Sequence, residues 1–586
     1  MSAYLVSPEH ITNLAAWATQ PQRRAYFYNI AKQRPIEADN RRQVTHMLAA
    51  ANLASVAARY GSDDSMCQPE AVLTKGETIF AVGTEADLRS RMPENTKDAD
   101  LKGRCLIPAF IDPHGHFPDT GFVELFRIDL SSPPRGDCLD MGSALHRLSQ
   151  KAKITKKGEW IMGVLFDNLN ISEGRMPTMT ELDQVSTDHP IWVLHASGHN
   201  GVANSYVFNL LGITQQTSDP FGGRYNRDPE TGELTGVIEG LEAMQDMGQT
   251  DFLIDNDKFW RGFKTARDEY VSHGVTMAQN AWVSRSFLEY FATLPAGKDP
   301  GIDVILLPVG EEEPAMTNGD DAVEWQDNPY FKIGPRKLFT DGAFQLQTAY
   351  LSKPYHIVLN ADMPRGAPYV EWDIHKRDVI RLHRLGFQIH CHCNGDAGAD
   401  MFIDAVENAL KDCPLKDHRH TIIHGQTLRE DQLDKIARLG MSVSFFSAHI
   451  YYWGDLHYAT ILGPERAERI SPAASAQQRG IRFTIHNDAS VTPTRPLHLA
   501  HCAVERQTHR GKILGEEQKI SRLSALRAMT IDAAWQVFED TKRGSIENGK
   551  LADMVILSEN PLETSTSLSD IRVIQTIRRG TIAYQA

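Results

Sequence analysis

Short apolar runs, each followed by a segment of helical pattern, are the feature that most constrains how this 586-residue chain can fold. Apolar strands that alternate with helices are typical of a parallel sheet covered on both faces. Eight such units are what a closed (β/α)8 barrel requires. We therefore predict an α/β fold built on a TIM barrel. An open doubly wound sheet is less favoured, because no glycine-rich phosphate-binding turn follows any run. The eight runs span residues 105–112, 274–280, 302–309, 336–342, 387–393, 421–425, 441–446 and 481–488.

The first two runs are separated by a stretch far longer than one crossover helix. This stretch contains apolar runs of its own, at residues 160–166 and 190–196. Because additions to barrels are usually accommodated in loops, we predict a large insertion after the first strand, at about residues 117–270. It is expected to lie on the catalytic face.

Both ends of the chain carry short β-patterned segments with glycine turns. Residues 71–83 alternate around Gly76, and residues 543–557 and 571–586 have a similar pattern. The simplest arrangement pairs the two ends in one small β-domain. The predicted units are thus a composite β-sandwich from residues 66–109 and 536–586, the barrel with its insertion at 110–535, and a helical N-terminal segment of unknown role at 1–65.

Composition excludes several classes of protein. With 61 Lys and Arg against 75 Asp and Glu, the net charge of −14 opposes binding to nucleic acid or to an anionic membrane. The seven cysteines are too few for a disulfide framework in a chain of this size. The N-terminus lacks the pattern of a secretory signal, and no apolar stretch is long enough for a spanning helix. We expect an acidic cytoplasmic protein.

Candidate metal ligands lie at the predicted carboxyl ends of the runs, where barrel strands converge on the active site. The first run leads into His114, Gly115 and His116, and alternate residues of an extended chain point to the same side. The sixth run ends in His424. The eighth ends in Asp488, which could bind metal or act as general base toward a metal-bound water. Each site is weak by itself, but together they predict a metal-dependent enzyme.

The fifth run contains His390, Cys391, His392 and Cys393, which superficially look like one zinc cluster. Alternation places the histidines on one face and the cysteines on the other, so a single metal ion cannot bind all four. We interpret the cysteines as small buried hydrophobic residues. The spacing alone does not choose between His390 and His392.

The sequence resembles the YtcJ-like branch of the amidohydrolase superfamily, which includes N-substituted formamide deformylases. The resemblance covers residues 68–586, and it departs from the superfamily at the start, where residues 1–65 replace the usual beginning of the small sandwich. The matching segments include IPAFIDPHGHF, HASGHNGVANSYVFNLLGI, RKLFTDGAFQLQTAYLSKPY, GFQIHCHCNGDAGAD, HRHTIIHG and HNDASVTP.

This resemblance implies a metal centre and a reaction. Lys337 matches a lysine that is carboxylated in many binuclear members, which implies two Zn²⁺ ions per chain bridged by the carbamate. An uncarboxylated Lys337 paired with Asp341 would leave one ion. Asp488 is then the general base, and it returns its proton to the departing amine. The residues that match ligand positions are His114, His116, Lys337, His392, His424 and Asp488.

Other residues are assigned roles around the substrate. His199 is implied by the resemblance to stabilise the oxyanion, and Asp341 is expected to contact substrate. His449 and Trp453 follow the seventh run and suit an apolar or aromatic N-substituent, although packing of their own loop explains them equally well.

We predict a hydrolase that cleaves a non-peptide C–N bond of a small-molecule amide, such as an N-substituted formamide, and acts as a homodimer. The alternatives are a mononuclear deaminase or a cyclic-amide or ester hydrolase on the same scaffold. A non-catalytic binding protein is the least favoured reading, because no ligand position is lost.

Overall fold

The computed structural model describes residues 45–49, 52–53, 70–92, 96–240, 243–244, 254–295, 297–309 and 328–586. Most of the predicted helical segment 1–65 therefore lies outside the described residues. None of the helices within these ranges combines the length and the apolar character needed to cross a membrane.

Two parallel sheets form the centre of the molecule, with orders β4-β3-β2-β1 and β5-β6-β7-β8-β9. Their strands are β1 (Phe110–Ile111), β2 (Val275–Val283), β3 (Asp303–Pro308), β4 (Phe331–Ile333), β5 (Arg336–Phe339), β6 (Ile389–Cys393), β7 (Thr421–His424), β8 (Ser442–Phe445) and β9 (Phe483–Ile485).

The two sheets are linked at both edges. A parallel bridge joins Val309, just after β3, to Lys337 in β5. At the other edge, the His116 N–H donates to the Ala489 carbonyl at 2.7 Å. Each of the eight apolar runs overlaps one of these strands, whereas β4 lies outside the runs, and the α/β class is confirmed.

Helices cover the outer faces of the strands. Helix Trp372–Arg384 buries Val379 and Leu382 in the same apolar cluster as Phe402 and Val406 of helix Asp396–Asp412. This i, i+3, i+4 spacing gives each helix one apolar stripe facing its neighbour. The other long α-helices are Asp119–Phe126, Met141–Ala152, Asn256–Ser272, Arg285–Ala292, Glu430–Leu439, Ala448–Leu456 and Pro496–Glu505. The shorter ones are Glu85–Ser90, Met179–Val185, Ser205–Leu211, Pro464–Ala467, Ala473–Gln478, Arg522–Ala528 and Ile531–Gln536.

A separate sheet lies between β1 and β2 in the chain, and we call it the inserted sheet. It contains both strands predicted within the insertion, and it has apolar clusters of its own around Leu148 and Trp192. Counted from strand Arg224–Arg227, the first three strand pairings are antiparallel and the last two are parallel. The strand order is Arg224–Arg227, Leu234–Glu239, Asn200–Ala203, Ile191–His195, Ile161–Phe166 and Ile128–Asp129.

The two ends of the chain share a sheet. Strand Met554–Leu557 pairs antiparallel with Cys105–Pro108, with Val555 opposite Ile107. This sheet has the order Asn52–Leu53, Cys105–Pro108, Met554–Leu557, Val573–Arg578 and Thr581–Gln585. A second small sheet has the order Thr78–Gly83, Ala71–Lys75, Thr45–Ala49 and Lys97–Asp100.

The prediction of helix over residues 1–65 was wrong for two described stretches. Thr45–Ala49 is a strand paired antiparallel with Ala71–Lys75 and parallel with Lys97–Asp100. Asn52–Leu53 pairs with Cys105 and Leu106. Backbone pairing with distant strands outweighs the weak intrinsic preference of these residues for helix.

A buried ion cluster fastens the C-terminal strands to the central sheet. Asp303, the first residue of β3, accepts hydrogen bonds from Arg543, Arg578 and Arg579. Burial alone would raise the pKa of Asp303, but the three guanidinium groups outweigh it and lower the pKa below its usual value. Asp299 accepts two hydrogen bonds from Arg578 at the edge of this cluster, and its side chain is 47% exposed.

Asp303→Asn is expected to lower the free energy of unfolding by about 3–5 kcal/mol, because it removes the buried carboxylate that Arg543, Arg578 and Arg579 share. Asp299→Asn is the matched control: its carboxylate is 47% exposed, so its pair with the buried Arg578 should contribute less than about 1 kcal/mol. Urea denaturation of the two variants measures both values. Equal losses would contradict the role given to Asp303.

His375 provides a test of how the stability of the fold depends on pH. The residue is 3% exposed, and its ring centroid lies 6.1 Å from that of Phe402. Burial lowers its pKa to about 4. Since the unfolded chain binds this proton near pH 6.5 and the folded chain only near pH 4, stability falls as pH falls through this window.

His375→Leu should remove this contribution. Between pH 7 and pH 5 the wild type is expected to lose about 2 kcal/mol more than the variant in urea denaturation. The exposed His146 serves as control, and His146→Leu should follow the wild type. A variant as acid-sensitive as the wild type would refute the assignment.

Candidate metal centre

The loops that follow β1 and β9 meet at the carboxyl ends of the parallel strands. Besides the hydrogen bond from His116 to Ala489, the Ala281 N–H donates to the Gly115 carbonyl at 2.8 Å. A Cβ atom on Gly115 would lie 2.5 Å from Asp112 Oδ2, so only glycine fits between the two histidines. This packing holds His114 and His116 over the sheet edge.

Asp488 brings the first group of candidate ligands together. Its Oδ1 atom lies 3.3 Å from His116 Nε2 and 3.7 Å from His114 Nε2. The ligand atoms of these three residues all lie within 4.8 Å of one another. Lys337 Nζ lies 3.2 Å from His114 Nε2, at the buried base of the group.

A second group shares the same aspartate. His424, His486 and Asp488 also have ligand atoms within 4.8 Å of one another. His424 Nδ1 lies 3.1 Å from His486 Nε2, and His424 Nε2 lies 3.0 Å from His392 Nδ1. His392 is thus adjacent to the group.

His486 was not assigned in the sequence analysis, although a signal was present. It stands two residues before Asp488 on extended chain, as His114 stands before His116. Ser444 Oγ, in β8, lies 2.9 Å from its other ring nitrogen and holds the ring in place.

Two of these residues adopt an unusual backbone conformation. His424 has φ +74° and Asp488 has φ +51°, both in the left-handed region. Such conformations are uncommon for residues other than glycine, and they cluster at functional sites. Both are found where a strand ends and the chain turns into its loop.

Burial favours the neutral form of four imidazoles of the site. Burial lowers the pKa of His114, His392 and His424 well below the ordinary value, and it lowers that of His486 to about 3. Neutral imidazole is the form that binds metal. Burial also lowers the pKa of the Lys337 amine to about 8.

Asp488 keeps its charge in this environment. Burial by itself would raise its pKa, but a hydrogen bond from His116 and the positive potential of its neighbours lower the pKa below the usual value. The site therefore combines neutral nitrogen donors with a carboxylate, which is the donor set of zinc enzymes. Except for His116, whose side chain is 32% exposed, these donors are buried, which also suits a bound cation.

Strand β6 separates its histidines and cysteines as alternation predicts. Cys391 and Cys393 lie in the apolar cluster shared with the surrounding helices. His390 points the same way as His392 but contacts Gln388, with 3.4 Å between His390 Nε2 and Gln388 Nε2. Of the two histidines, His392 is the one beside His424.

Asp341 does not occupy the position expected for a substrate contact. Its carboxylate accepts hydrogen bonds from the backbone N–H groups of Asn394, Gly395 and Tyr350 at 3.0, 2.7 and 2.8 Å. Burial raises its pKa to about 7, against the opposing effect of these hydrogen bonds. Nor do the described residues include an ion pair between Asp341 and Lys337.

His199 reaches the site from the inserted sheet. Its ring centroid lies 5.0 Å from that of His392, and its Nδ1 atom lies 3.1 Å from the Tyr369 hydroxyl. Burial lowers the pKa of His199 to about 3. His199 is therefore a neutral hydrogen-bonding group at the edge of the ligand cluster.

His449 and Trp453 lie on helix Ala448–Leu456, behind the ligand cluster. His449 Nδ1 lies 3.0 Å from His457 Nε2, and Trp453 Nε1 donates to Asp167 Oδ2 at 2.7 Å. Their rings are 4.5 Å apart. These bonds fit the interpretation in which the two residues pack their own segment.

Comparison with known proteins agrees with this geometry. The sequence profile of the amidohydrolase family matches residues 99–584. The N-substituted formamide deformylase of Arthrobacter pascens is 25% identical over 553 residues, covering 92% of this chain and 98% of that protein. The YtcJ protein of Bacillus subtilis (strain 168) is 24% identical, covering 88% of this chain and 96% of that protein.

A solved structure is also similar. An uncharacterized metal-dependent hydrolase from Pyrococcus horikoshii OT3 superposes with a TM-score of 0.69 at 21% identity, covering 90% of this chain and 99% of that chain. The likeness shows that the two proteins share a fold of the α/β class. The chain belongs to the amidohydrolase family, and its relatives agree with the YtcJ-like branch. It is a hydrolase acting on carbon–nitrogen bonds.

The position of Asp341 gives a prediction for this region. Asp341→Ala should lower the free energy of unfolding by several kcal/mol, at about 1–3 kcal/mol for each buried N–H group left without an acceptor. Chemical denaturation measures the loss. A variant of normal stability in which only KM is raised would instead support the substrate contact that the sequence predicts for Asp341.

Proposed function

We propose that the protein hydrolyses the amide bond of a small N-substituted amide, with formamides as the leading class, and that Asp488 moves the proton. The observation that carries the proposal is the position of Asp488, which belongs to both groups of candidate ligands. The formamide deformylase of Arthrobacter pascens supports the choice of substrate class, at 25% identity over nearly the whole chain.

We further propose that the two parallel sheets form one (β/α)8 barrel, in which β4 and β5 count as one interrupted strand because both pair parallel with β3 or the residue that follows it. The bridge from Val309 to Lys337 and the hydrogen bond from His116 to Ala489 support closure at both edges. The inserted sheet is then the insertion after the first strand, and the two small sheets at the flanks make up the composite sandwich. Function in the cytoplasm and as a homodimer stays a prediction.

Zn²⁺ is the proposed cofactor, because imidazole nitrogens and one carboxylate are its usual ligands. His114, His116 and Asp488 would hold one ion, and His424 with His392 or His486 would hold a second. Bound zinc supplies a Lewis acid that polarises a carbonyl group and acidifies water.

Lys337 is proposed to bridge the two ions as a carbamate. Carboxylation joins the neutral amine to carbon dioxide and releases one proton. The lowered pKa of Lys337, about 8, supports this reaction because a fraction of the amine is neutral near physiological pH. An unmodified lysine would instead favour a single ion.

The side chains divide the proton transfers between them. Asp488 accepts a proton from the attacking water and returns it to the amine nitrogen as the C–N bond breaks. If the Tyr369 hydroxyl donates to His199 Nδ1, the ring proton remains on Nε2. The Nε2–H group can then donate a hydrogen bond to the carbonyl oxygen as negative charge develops, and it keeps its proton. Burial of His199 and Asp488 keeps competing water away.

Replacement of the carboxylate tests the proposal. Asp488→Asn should reduce kcat for N-cyclohexylformamide by about 10²–10⁴-fold, because the amide cannot accept the proton. Metal analysis of this variant by mass spectrometry should still find zinc, bound by the histidines. The exposed Asp417, changed to Asn, is the control and should keep full activity. Turnover by Asp488→Asn within a few fold of the wild type would reject Asp488 as the base.

A further inference from the structure

Trp282 is a large apolar side chain that the fold leaves open to solvent. It lies near the carboxyl end of β2 and is 39% exposed, whereas its neighbours Ala281 and Val283 are buried. The candidate ligands also lie at the carboxyl ends of the parallel strands. The exposed indole ring is therefore placed at the end of the sheet where a substrate would bind.

The backbone around Trp282 is bound to the segment that carries the histidine pair. The Ala281 N–H donates to the Gly115 carbonyl at 2.8 Å, and Asn280 forms an antiparallel bridge with His116. Asn280 Oδ1 in turn accepts a hydrogen bond from the Trp282 N–H at 3.0 Å. His116 is the candidate ligand whose side chain is partly exposed. Trp282 thus lies beside the open side of the metal centre.

Phe339 extends this apolar surface to the other group of ligands. Its ring centroid lies 5.0 Å from that of Trp282 and 5.6 Å from that of His392. Alternation along β5 places Phe339 on the same side as Lys337, whose Nζ atom lies 5.0 Å from the centre of the Phe339 ring. We call Trp282 and Phe339 the aromatic pair. It reaches from the open side of the metal centre to the ligand cluster.

The aromatic pair favours one kind of binding partner. A flat apolar group that packs on such rings gains up to about tenfold in affinity beyond the effect of its buried area. Aromatic faces also attract cations. A cationic group is disfavoured here, because the neighbouring site is proposed to bind Zn²⁺.

We propose that Trp282 and Phe339 bind the group attached to the amide nitrogen of the substrate, and that they select substrates in which this group is flat and apolar. Because a formamide carries only hydrogen on its carbonyl carbon, the group that can reach the aromatic pair is the N-substituent. The inference rests on the proposed function and names specificity-determining residues for it.

Two formamides that differ in the phenyl ring test the proposal: N-benzylformamide and N-methylformamide. The zinc-loaded wild type should prefer N-benzylformamide at least about 100-fold in kcat/KM, because the ring adds six apolar carbons to the contact. Trp282→Ala should lower this ratio about tenfold or more. Phe538 is the control, since its 41% exposed ring lies beside Arg419, which precedes β7 at the opposite ends of the strands. Phe538→Ala should keep the ratio.

Phe339→Leu provides a second variant should Trp282→Ala fail to fold. Leucine keeps an apolar side chain but removes the flat face, so the ratio should fall about threefold or more. Similar kcat/KM values of the wild type for the two formamides, or an unchanged ratio in these variants, would overturn the role of the aromatic pair.

Failure of the proposed function has a different signature. If the wild type hydrolyses neither formamide, the proposed function is wrong, and calorimetry of N-benzylformamide binding decides for the aromatic pair. Affinity lowered about tenfold in Trp282→Ala and unchanged in Phe538→Ala would support the role. Equal affinity of the wild type and Trp282→Ala, or no binding to the wild type, would overturn it.

Discussion

The contact between the loops after β1 and β9 is the interaction on which the rest of the site depends. His116 donates its backbone N–H to Ala489, and its ring lies 3.3 Å from Asp488 Oδ1. This contact joins the free edges of the two parallel sheets and brings a histidine pair to the one carboxylate among the candidate ligands. Every other ligand is placed by the pairing of β5 through β9, which presents successive strand ends to Asp488.

This arrangement is costly for stability, and other parts of the molecule offset the cost. The site buries four imidazoles, an amine and a carboxylate, and it holds His424 and Asp488 in left-handed backbone conformations. Asp341 stabilises the surroundings by binding three backbone N–H groups beside His392. Farther away, the ion cluster of Asp303 ties the C-terminal strands to β3.

Much of the fold and of the ligand set could be predicted from the sequence, because buried parallel strands are apolar throughout and their carboxyl ends meet in space. The same logic indicated His114, His116, His424 and Asp488 from the residues alone. The role of Asp341 could not be inferred, since its partners are backbone groups whose position depends on the folded loop after β6. The strand at Thr45–Ala49 was mistaken for helix because pairing with distant partners is invisible in local sequence.

The candidate site draws on the strand ends and on the inserted sheet. The strand ends supply Asp488 and the histidines, which are proposed to move the proton and to bind the metal at the bond that is cleaved. The inserted sheet supplies His199, whose ring lies beside His392 at the edge of the ligand cluster. Because the inserted sheet has its own apolar clusters, its loops can differ without disturbing the parallel strands. A change of substrate within this architecture would therefore be sought in the loops of the inserted sheet, with the ligands of the metal centre kept unchanged.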